Sequence, residues 1–307
     1  MKNLRIGVMP AVAAIVLASC SNEADNPVNP EPPAEPVENV KSRVEAFVAE
    51  NATTSFVYDD EGRISMVEIS SSDYDGSSFI RASYTYPEDR DEISLRYTTY
   101  TGSPLGENGT LSNYRTWDEV LTIENGLIAY CEGICDVKDS NSTLNAKYRI
   151  EYSYDSERRL TTAKHYQWSR KYGDYDMDHP WIWYERFVWE KGNMIRHEDE
   201  AGGSSPKYIY NYIYNAWPAV DNIGPLVCGM FDAAHSPLHS AGYFGKASEN
   251  LVSKINTIND LSVNGIKEFG YLFDDSGRIK SYSETVYLSN RYMSYIWRVD
   301  WKELSAT

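Results

Sequence analysis

Apolar and polar positions alternate with a period of two along much of this chain, as in Ile93-Ser94-Leu95-Arg96-Tyr97-Thr98-Thr99-Tyr100 and Glu151-Tyr152-Ser153-Tyr154. That period sends apolar side chains to one face of a β-strand and polar ones to the other. Four segments interrupt the alternation in the same way, with an aromatic or apolar residue, a carboxylate, a short polar turn and a new β-prone run. They are Tyr58-Asp59-Asp60-Glu61-Gly62-Arg63-Ile64, Tyr154-Asp155-Ser156-Glu157-Arg158-Arg159-Leu160, Trp189-Glu190-Lys191-Gly192-Asn193-Met194 and Phe273-Asp274-Asp275-Ser276-Gly277-Arg278-Ile279. Ile123-Glu124-Asn125-Gly126-Leu127 is a shorter fifth. An Asp or Asn that bonds its own backbone starts such a turn and glycine takes the positive φ, so each reads as a tight hairpin. Arg158 in place of glycine weakens one copy.

Between these turns lie longer polar stretches, over residues 71–78, 101–112, 132–146, 170–180 and 200–206. In an up-and-down meander successive connections fall on opposite ends of the sheet. The tight turns then share one end and the long loops the other, where a binding surface is favoured. The expected fold class is all-β, an up-and-down antiparallel meander of about 14 strands, as a large curled sheet or a soluble barrel. Two helical interruptions are expected. Val40, Val44, Phe47 and Val48 share one helical face and predict a short N-terminal helix. Trp217 to Ala234, with Pro218 suited to a first turn and Gly224-Pro225 as a breaker, predicts a helical cap over the sheet or a barrel opening.

The N-terminus has a different pattern. Lys2 and Arg5 precede an apolar run from Ile6 to Ala18, closed by Leu17-Ala18-Ser19-Cys20. This is a lipoprotein-type signal, so residues 1–19 are expected to be removed and Cys20 to carry the acyl chains. Residues 20–38 contain Pro27, Pro30, Pro32, Pro33 and Pro36 and read as an extended spacer, rising about 3.1 Å per residue. Residues 39–307 read as a single β-rich domain. No second hydrophobic span follows Cys20, and the strands are too polar for the continuous outward apolar band of a membrane barrel. Membrane attachment is therefore expected through the lipid alone.

Composition sharpens this picture in two respects. The chain has 25 Tyr, 8 Trp and 8 Phe, an aromatic enrichment that favours strands. Its formal charge is -16, and loss of Lys2 and Arg5 with the signal makes it more negative, which argues against nucleic acid as a partner.

The Tyr/Phe-Asp-x-x-Gly-Arg-Ile hairpins, together with Gly242-Tyr243-Phe244-Gly245-Lys246 and Asn250-Leu251 ahead of the Phe273-Asp274 hairpin, resemble a Bacteroides-type lipoprotein domain of unknown function. The resemblance covers residues 50–303 and implies a porin-like barrel or curled sheet. It implies no activity and no functional residues. The acidic residues behind Cys20 also resemble the surface-export signals of such lipoproteins. The expected location is the Gram-negative outer membrane, as a lipoprotein facing the periplasm or the cell surface.

Candidate chemistry is sparse. Cys131 and Cys135 flank Glu132-Gly133-Ile134 and could bridge across a loop or stay as buried thiols, leaving Cys228 over. Asp174, Asp176, Asp178 and Glu185 match positions 1, 3, 5 and 12 of a calcium loop, although His179 and Pro180 occupy the sharp turn that calls for glycine. Trp181, Trp183, Glu185, Phe187 and Trp189 share one face of a strand, with Ile182, Tyr184, Arg186 and Val188 on the other. Trp168, Trp181, Trp183, Tyr184 and Trp189 are the candidate ligand-binding aromatics. They would stack on sugar rings if exposed and coplanar, or fill a core if not.

His235-Ser236-Pro237-Leu238-His239 reads as a loop, because Pro237 disfavours the helix that would aim both histidines at one metal. His197-Glu198-Asp199-Glu200 reads as a charged edge at a strand end. No phosphate-binding glycine loop or nucleophile elbow appears. The expectation is a noncatalytic module binding a glycan or lipid-like ligand, with calcium the sole candidate cofactor. The alternatives are an accessory subunit docked on another envelope protein and, third, a glycan hydrolase, which would need two facing carboxylates.

Overall fold

The computed structural model describes residues 42–303 apart from 74–75, 89–90, 102–113, 139–142, 172–173, 201–207, 221–222, 229–231, 260–264 and 289–290. Cys20 and the proline-rich spacer lie outside the described residues. The chain opens with β1 (Ser42–Val48), β2 (Ala52–Tyr58), β3 (Ile64–Asp73), β4 (Gly76–Thr85), β5 (Glu92–Thr101) and β6 (Tyr114–Glu124). It continues with β7 (Leu127–Lys138), β8 (Thr143–Tyr154), β9 (Leu160–Lys171), the two-residue β10 (Asp174–Tyr175), β11 (Trp181–Glu190) and β12 (Asn193–Asp199). After β13 (Tyr208–Pro218) come α1 (Gly224–Cys228) and α2 (Ser236–Ser240), and then β14 (Asn250–Asn259), β15 (Gly265–Phe273), β16 (Ile279–Leu288) and β17 (Arg291–Glu303).

Each long strand pairs antiparallel with its neighbours, β9 with β11, and β1 with both β2 and β17. The sheet therefore closes on itself as a 16-stranded barrel, with β10 a short appendage on β9. Of the two expected forms, curled sheet or barrel, the structure is the barrel, and its wall has 16 strands where about 14 are expected. Of the segment expected as a loop, 139–142 lie outside the described residues, and residues 132–138 and 143–146 belong to β7 and β8. Their outward residues Glu132, Asp136 and Arg149 are polar, while Cys131, Cys135 and Ala146 face inward and are buried.

The expected N-terminal helix is a strand. A bulge between Val44 and Ala46 advances the alternation by one residue, so the buried Val44 and Phe47 lie three apart, a spacing that imitates a helix. Among the described residues the expected helical cap over Trp217–Ala234 is not seen either. Its first residues end β13, and Gly224-Pro225 starts the five-residue α1 instead of breaking a longer helix, since proline suits a first turn. For the same reason Pro237 lies in the first turn of α2, which replaces the loop expected over His235–His239.

Tight turns occupy one end of the barrel as expected. In three of them an aspartate organises the loop: Asp59 Oδ1 accepts from the backbone N–H of Glu61 and Arg63, and Oδ2 accepts from Arg63 Nε at 2.8 Å. Asp155 and Asp274 repeat this pattern with Arg159 and Arg278. Gly62 and Gly277 supply φ of 80° and 81°, and Arg158 adopts 64° at the equivalent position.

Aromatic residues, among them Tyr58, Tyr154 and Trp189 of the recurring pattern, close the rim between the turns. Tyr58, Tyr86, Tyr154, Trp189, Tyr214, Tyr271 and Trp301 each donate a hydrogen bond, 2.6–2.8 Å long, to a backbone carbonyl near the start of an adjacent strand. The acceptors are Val44, Ile64, Ile128, Leu160, Met194, Val252 and Ile279. Turns join one set of neighbouring strands and these side chains join the alternate set, so the rim is tied almost all the way round. Between β5 and β6 the Ile123 N–H bonds the Asp91 carbonyl instead.

The connection from β13 to β14 breaks the rule that this end has only short links. Residues 232–246 turn into the barrel, where Leu238 and Phe244 are fully buried in one core with Ile93, Leu121 and Ile128. Phe244 packs edge-on against the inward ring of Tyr152, and Tyr84 donates to the Ala234 carbonyl. Gly245 is required where this plug meets the wall, because a Cβ there would lie 2.1 Å from the Arg158 carbonyl oxygen.

Candidate functional site

The plug is pinned by charge as well as by packing. Asp232 contacts His235 Nδ1 at 2.9 Å, His235 Nε2 lies 2.8 Å from Glu119 Oε2, and the Tyr148 hydroxyl donates to Glu119 Oε1. Gly133 opposes Tyr148 and leaves room for its ring, which an added Cβ would meet at 2.6 Å. Burial alone would lower the His235 pKa, but Asp232 and Glu119 outweigh it and hold it well above the ordinary value. Burial would raise Asp232, and the imidazolium overrides that to hold it low. The group is an internally hydrogen-bonded cluster of two carboxylates on one imidazolium, and it closes the tight-turn end.

Toward the long-loop end the lumen changes character. Inward-facing Trp181, Trp183, Tyr210, Lys267, Glu284 and Tyr295 are only half-buried, although Ile93 and Leu121 deeper in the same barrel are fully buried.

The inner faces of β9, β11, β12 and β13 carry the main polar cluster here. Glu185 lies between two imidazoles, with His165 Nε2 2.7 Å from Oε1 and His197 Nε2 2.7 Å from Oε2. His165 stacks on Trp183 at 4.7 Å, and His197 lies between Phe187 and Tyr210 at 4.6 and 5.2 Å. Burial would raise Glu185, but the two imidazoles hold it well below the usual carboxylate range. Asp199 stands opposite Glu185 in the strand register. Burial first, and then the charge of Glu185, push Asp199 up to about 6. Asp199 Oδ1 and Gln167 Oε1 are buried without a hydrogen-bond partner.

The aromatic residues singled out in the sequence do not converge. Trp181 and Trp183 face the lumen with ring centroids 5.6 Å apart and a 54° tilt. Trp168 and Tyr184 lie on the outer face, Trp168 covered by the segment after β10 through its bond to the Met177 carbonyl. Trp189 belongs to the tight-turn rim. The five rings therefore form no flat platform, since they sit on opposite faces of the sheet.

The calcium set separates as well. Glu185 is engaged inside the barrel, while Asp176 contacts His179 and Asp178 is exposed. The side chain of Asp174 lies outside the described residues. Among those described, no group of three His, Cys, Asp or Glu is arranged to hold a metal. Cys131 and Cys135 are free and buried, and burial raises both thiols. They share strand β7, where four residues span about 13 Å, beyond disulfide reach. His197 and Asp199, expected at a charged edge, point inward. His165, Gln167, Glu119 and Asp232 carried no sequence motif. Their one legible signal is a polar residue on the apolar side of an alternating strand.

Two crystal structures share this architecture. A porin-like protein from Bacteroides uniformis ATCC 8492 superposes with a TM-score of 0.55 at 12% identity, over 87% of this chain and 99% of that one. The fold is porin-like. A second porin-like protein, from Bacteroides vulgatus ATCC 8482, gives 0.51 at 15% identity over 85% and 99%. No family description and no curated protein matches the chain in sequence. Cross-strand ion pairs line the outer wall of this porin-like barrel, among them Arg81–Glu68, Arg96–Asp118, Arg149–Glu132, Arg186–Glu200 and Lys254–Glu268.

Proposed function

We propose that this protein is a lipid-anchored, noncatalytic envelope module that holds a glycan in a blind lumen open at the long-loop end. The observation carrying the reading is the pair of unpartnered inward acceptors, Gln167 Oε1 and Asp199 Oδ1, beside the half-buried rings of Trp181, Trp183 and Tyr210. Buried acceptors lacking donors favour a hydroxyl-bearing ligand. An acyl chain would leave them unsatisfied, so the glycan is preferred to the lipid.

Conduction is disfavoured by the plug, whose Leu238 and Phe244 are fully buried across the tight-turn end. A membrane-spanning role is disfavoured by the charged outer wall, because a lipid-facing wall needs an apolar band. Both β1 and the C-terminal end of β17 reach the tight-turn end, with Ser42 paired to Glu303. A tether from Cys20 would thus enter at the plugged end and direct the open end away from the bilayer.

The test is saturation-transfer NMR of the Cys20→Ser chain against neutral oligosaccharides and fatty acids. Transfer to sugars and not to acyl chains is expected, and the reverse would sink the glycan reading. Metabolic acyl labelling should mark the wild-type chain and not Cys20→Ser. A second reading, docking on an envelope partner, is favoured by Leu272, Tyr292 and Ile296, which face outward and are 60%, 73% and 72% exposed. Crosslinking in cells from those positions checks it.

A further inference from the structure

The polar cluster in the lumen is incompletely hydrogen-bonded, and the oxygens left over bear on its ligand. Glu185 takes both imidazoles, His165 and His197, at 2.7 Å. Asp199 stands directly opposite Glu185 across β11 and β12, and its buried Oδ1 has no donor. Gln167 lies on the inner face of β9, two residues from His165, and its buried Oε1 also has none. Both orphaned oxygens are acceptors, and a potential donor in the same cluster, His165 Nε2, is turned to Glu185 at 2.7 Å.

The charges point the same way. The groups acting on Asp199 are Glu185 from β11, His165 from β9, His197 of its own strand and Glu200 just beyond it. On the other side β13 presents Tyr208, directly paired with Asp199, and Tyr210. Two carboxylates thus bear on Asp199, and the two imidazoles are already placed on one of them. A partly buried carboxylate in this setting gains most from a cation, and aromatic faces such as Trp183 and Tyr210 favour an organic one.

We propose that the lumenal site takes a ligand presenting an ammonium beside hydroxyl groups, the class of amino sugars, with its ammonium on Asp199 and a hydroxyl donating to Gln167. The proposal rests on the glycan reading above and narrows it. Uronic, sialic or sulfated sugars would bring a third negative charge and be rejected. Neutral sugars would satisfy Gln167 and leave Asp199 without a counter-charge.

The closing experiment is calorimetric titration of the purified full chain with glucosamine, glucose and glucuronate near neutral pH, repeated on Asp199→Asn with its melting temperature recorded. Glucosamine should bind about tenfold tighter than glucose, glucuronate should show no binding, and Asp199→Asn should erase the difference between the first two. A second measurement needs no variant. Glucosamine affinity of the wild-type chain should fall about tenfold between pH 7 and 5 as Asp199 takes up its proton, while glucose affinity stays level. Equal glucose and glucosamine binding, a preference that survives Asp199→Asn, or a glucosamine affinity flat across that pH range would each overturn the ammonium assignment and leave the glycan reading standing. Failure of every sugar to bind the wild-type chain would remove the glycan reading itself, and this proposal with it.

Discussion

The two ends of the barrel interior differ in how fully their carboxylates and imidazoles are hydrogen-bonded. At the plugged end Glu119 and Asp232 flank one imidazolium, His235, and the Tyr148 hydroxyl takes the remaining Glu119 oxygen. Every charge there has a partner, and the surrounding Leu238, Phe244 and Ile128 are fully buried. In the long-loop half Glu185 takes two imidazoles, Asp199 opposes it, and buried acceptors on Asp199 and Gln167 are left over. A satisfied buried cluster rigidifies a fold, whereas an unsatisfied one costs stability and is retained where something else will satisfy it. The first end holds the barrel shut, and the second is where the proposed binding falls.

The largest expected effect breaks the plugged end. Phe244→Ala removes a fully buried ring at the centre of the plug and should cost about 3–5 kcal/mol, read from urea unfolding. An unchanged midpoint would mean that the plug is not part of the cooperative core. Next, Glu119→Gln leaves the His235 imidazolium with Asp232 alone and should cost about 2–3 kcal/mol near neutral pH.

The pH dependence of that cluster has a definite sign. His235 is held above its ordinary value, so its contribution is complete below about pH 6.5 and is lost as pH rises through its higher folded value. Asp232 is held low, so its contribution is complete above about pH 4 and is lost as pH falls through its folded value. Unfolding free energies of wild type and Glu119→Gln should therefore differ most between these limits.

The long-loop half should respond in the opposite direction. Asp199→Asn removes a poorly compensated carboxylate and should stabilise the protein by about 1–2 kcal/mol at pH 7, a figure reduced for its partial exposure. Because the folded value of Asp199 is raised to about 6, wild-type stability should gain from this group as pH falls from 7 toward 4. Asp199→Asn should lack that gain. Loss of stability in the variant would show Asp199 to be a structural ion like Glu119.

The smaller tests concern the rim. Tyr154→Phe deletes one hydroxyl bond to the Ile128 carbonyl and should cost about 1 kcal/mol. Arg158→Gly relieves a left-handed backbone at φ 64° and forfeits the exposed bond from Arg158 Nη1 to the Asn125 carbonyl, for a net gain below about 1 kcal/mol in thermal melts. A rim made only of local turns would show no loss from Tyr154→Phe.

The recurring turn was legible because its physics is local. Asp59, Asp155 and Asp274 each organise a few residues of their own loop, so the hairpins, and with them the sorting of tight and long connections to opposite ends, could be read from spacing. Polar outer faces made residues 132–146 look like a loop, and a single bulge made Val44 and Phe47 look helical. Both misreadings arise where the period of two is masked or shifted.

The candidate site was less legible. Alternation along β11 puts Trp181 and Trp183 on one face and Tyr184 on the other, but it does not say which face of β9 carries Trp168. The sequence by itself determined the antiparallel meander, the tight-turn chemistry and the polar outer wall, since each depends on neighbours within a hairpin. Closure of β1 on β17, the inward path of residues 232–246 and the meeting of Glu185 with His165, His197 and Asp199 were decided only by tertiary structure. Each depends on strand register or on contacts between distant segments, and alternation along a single strand does not encode which partner it will face.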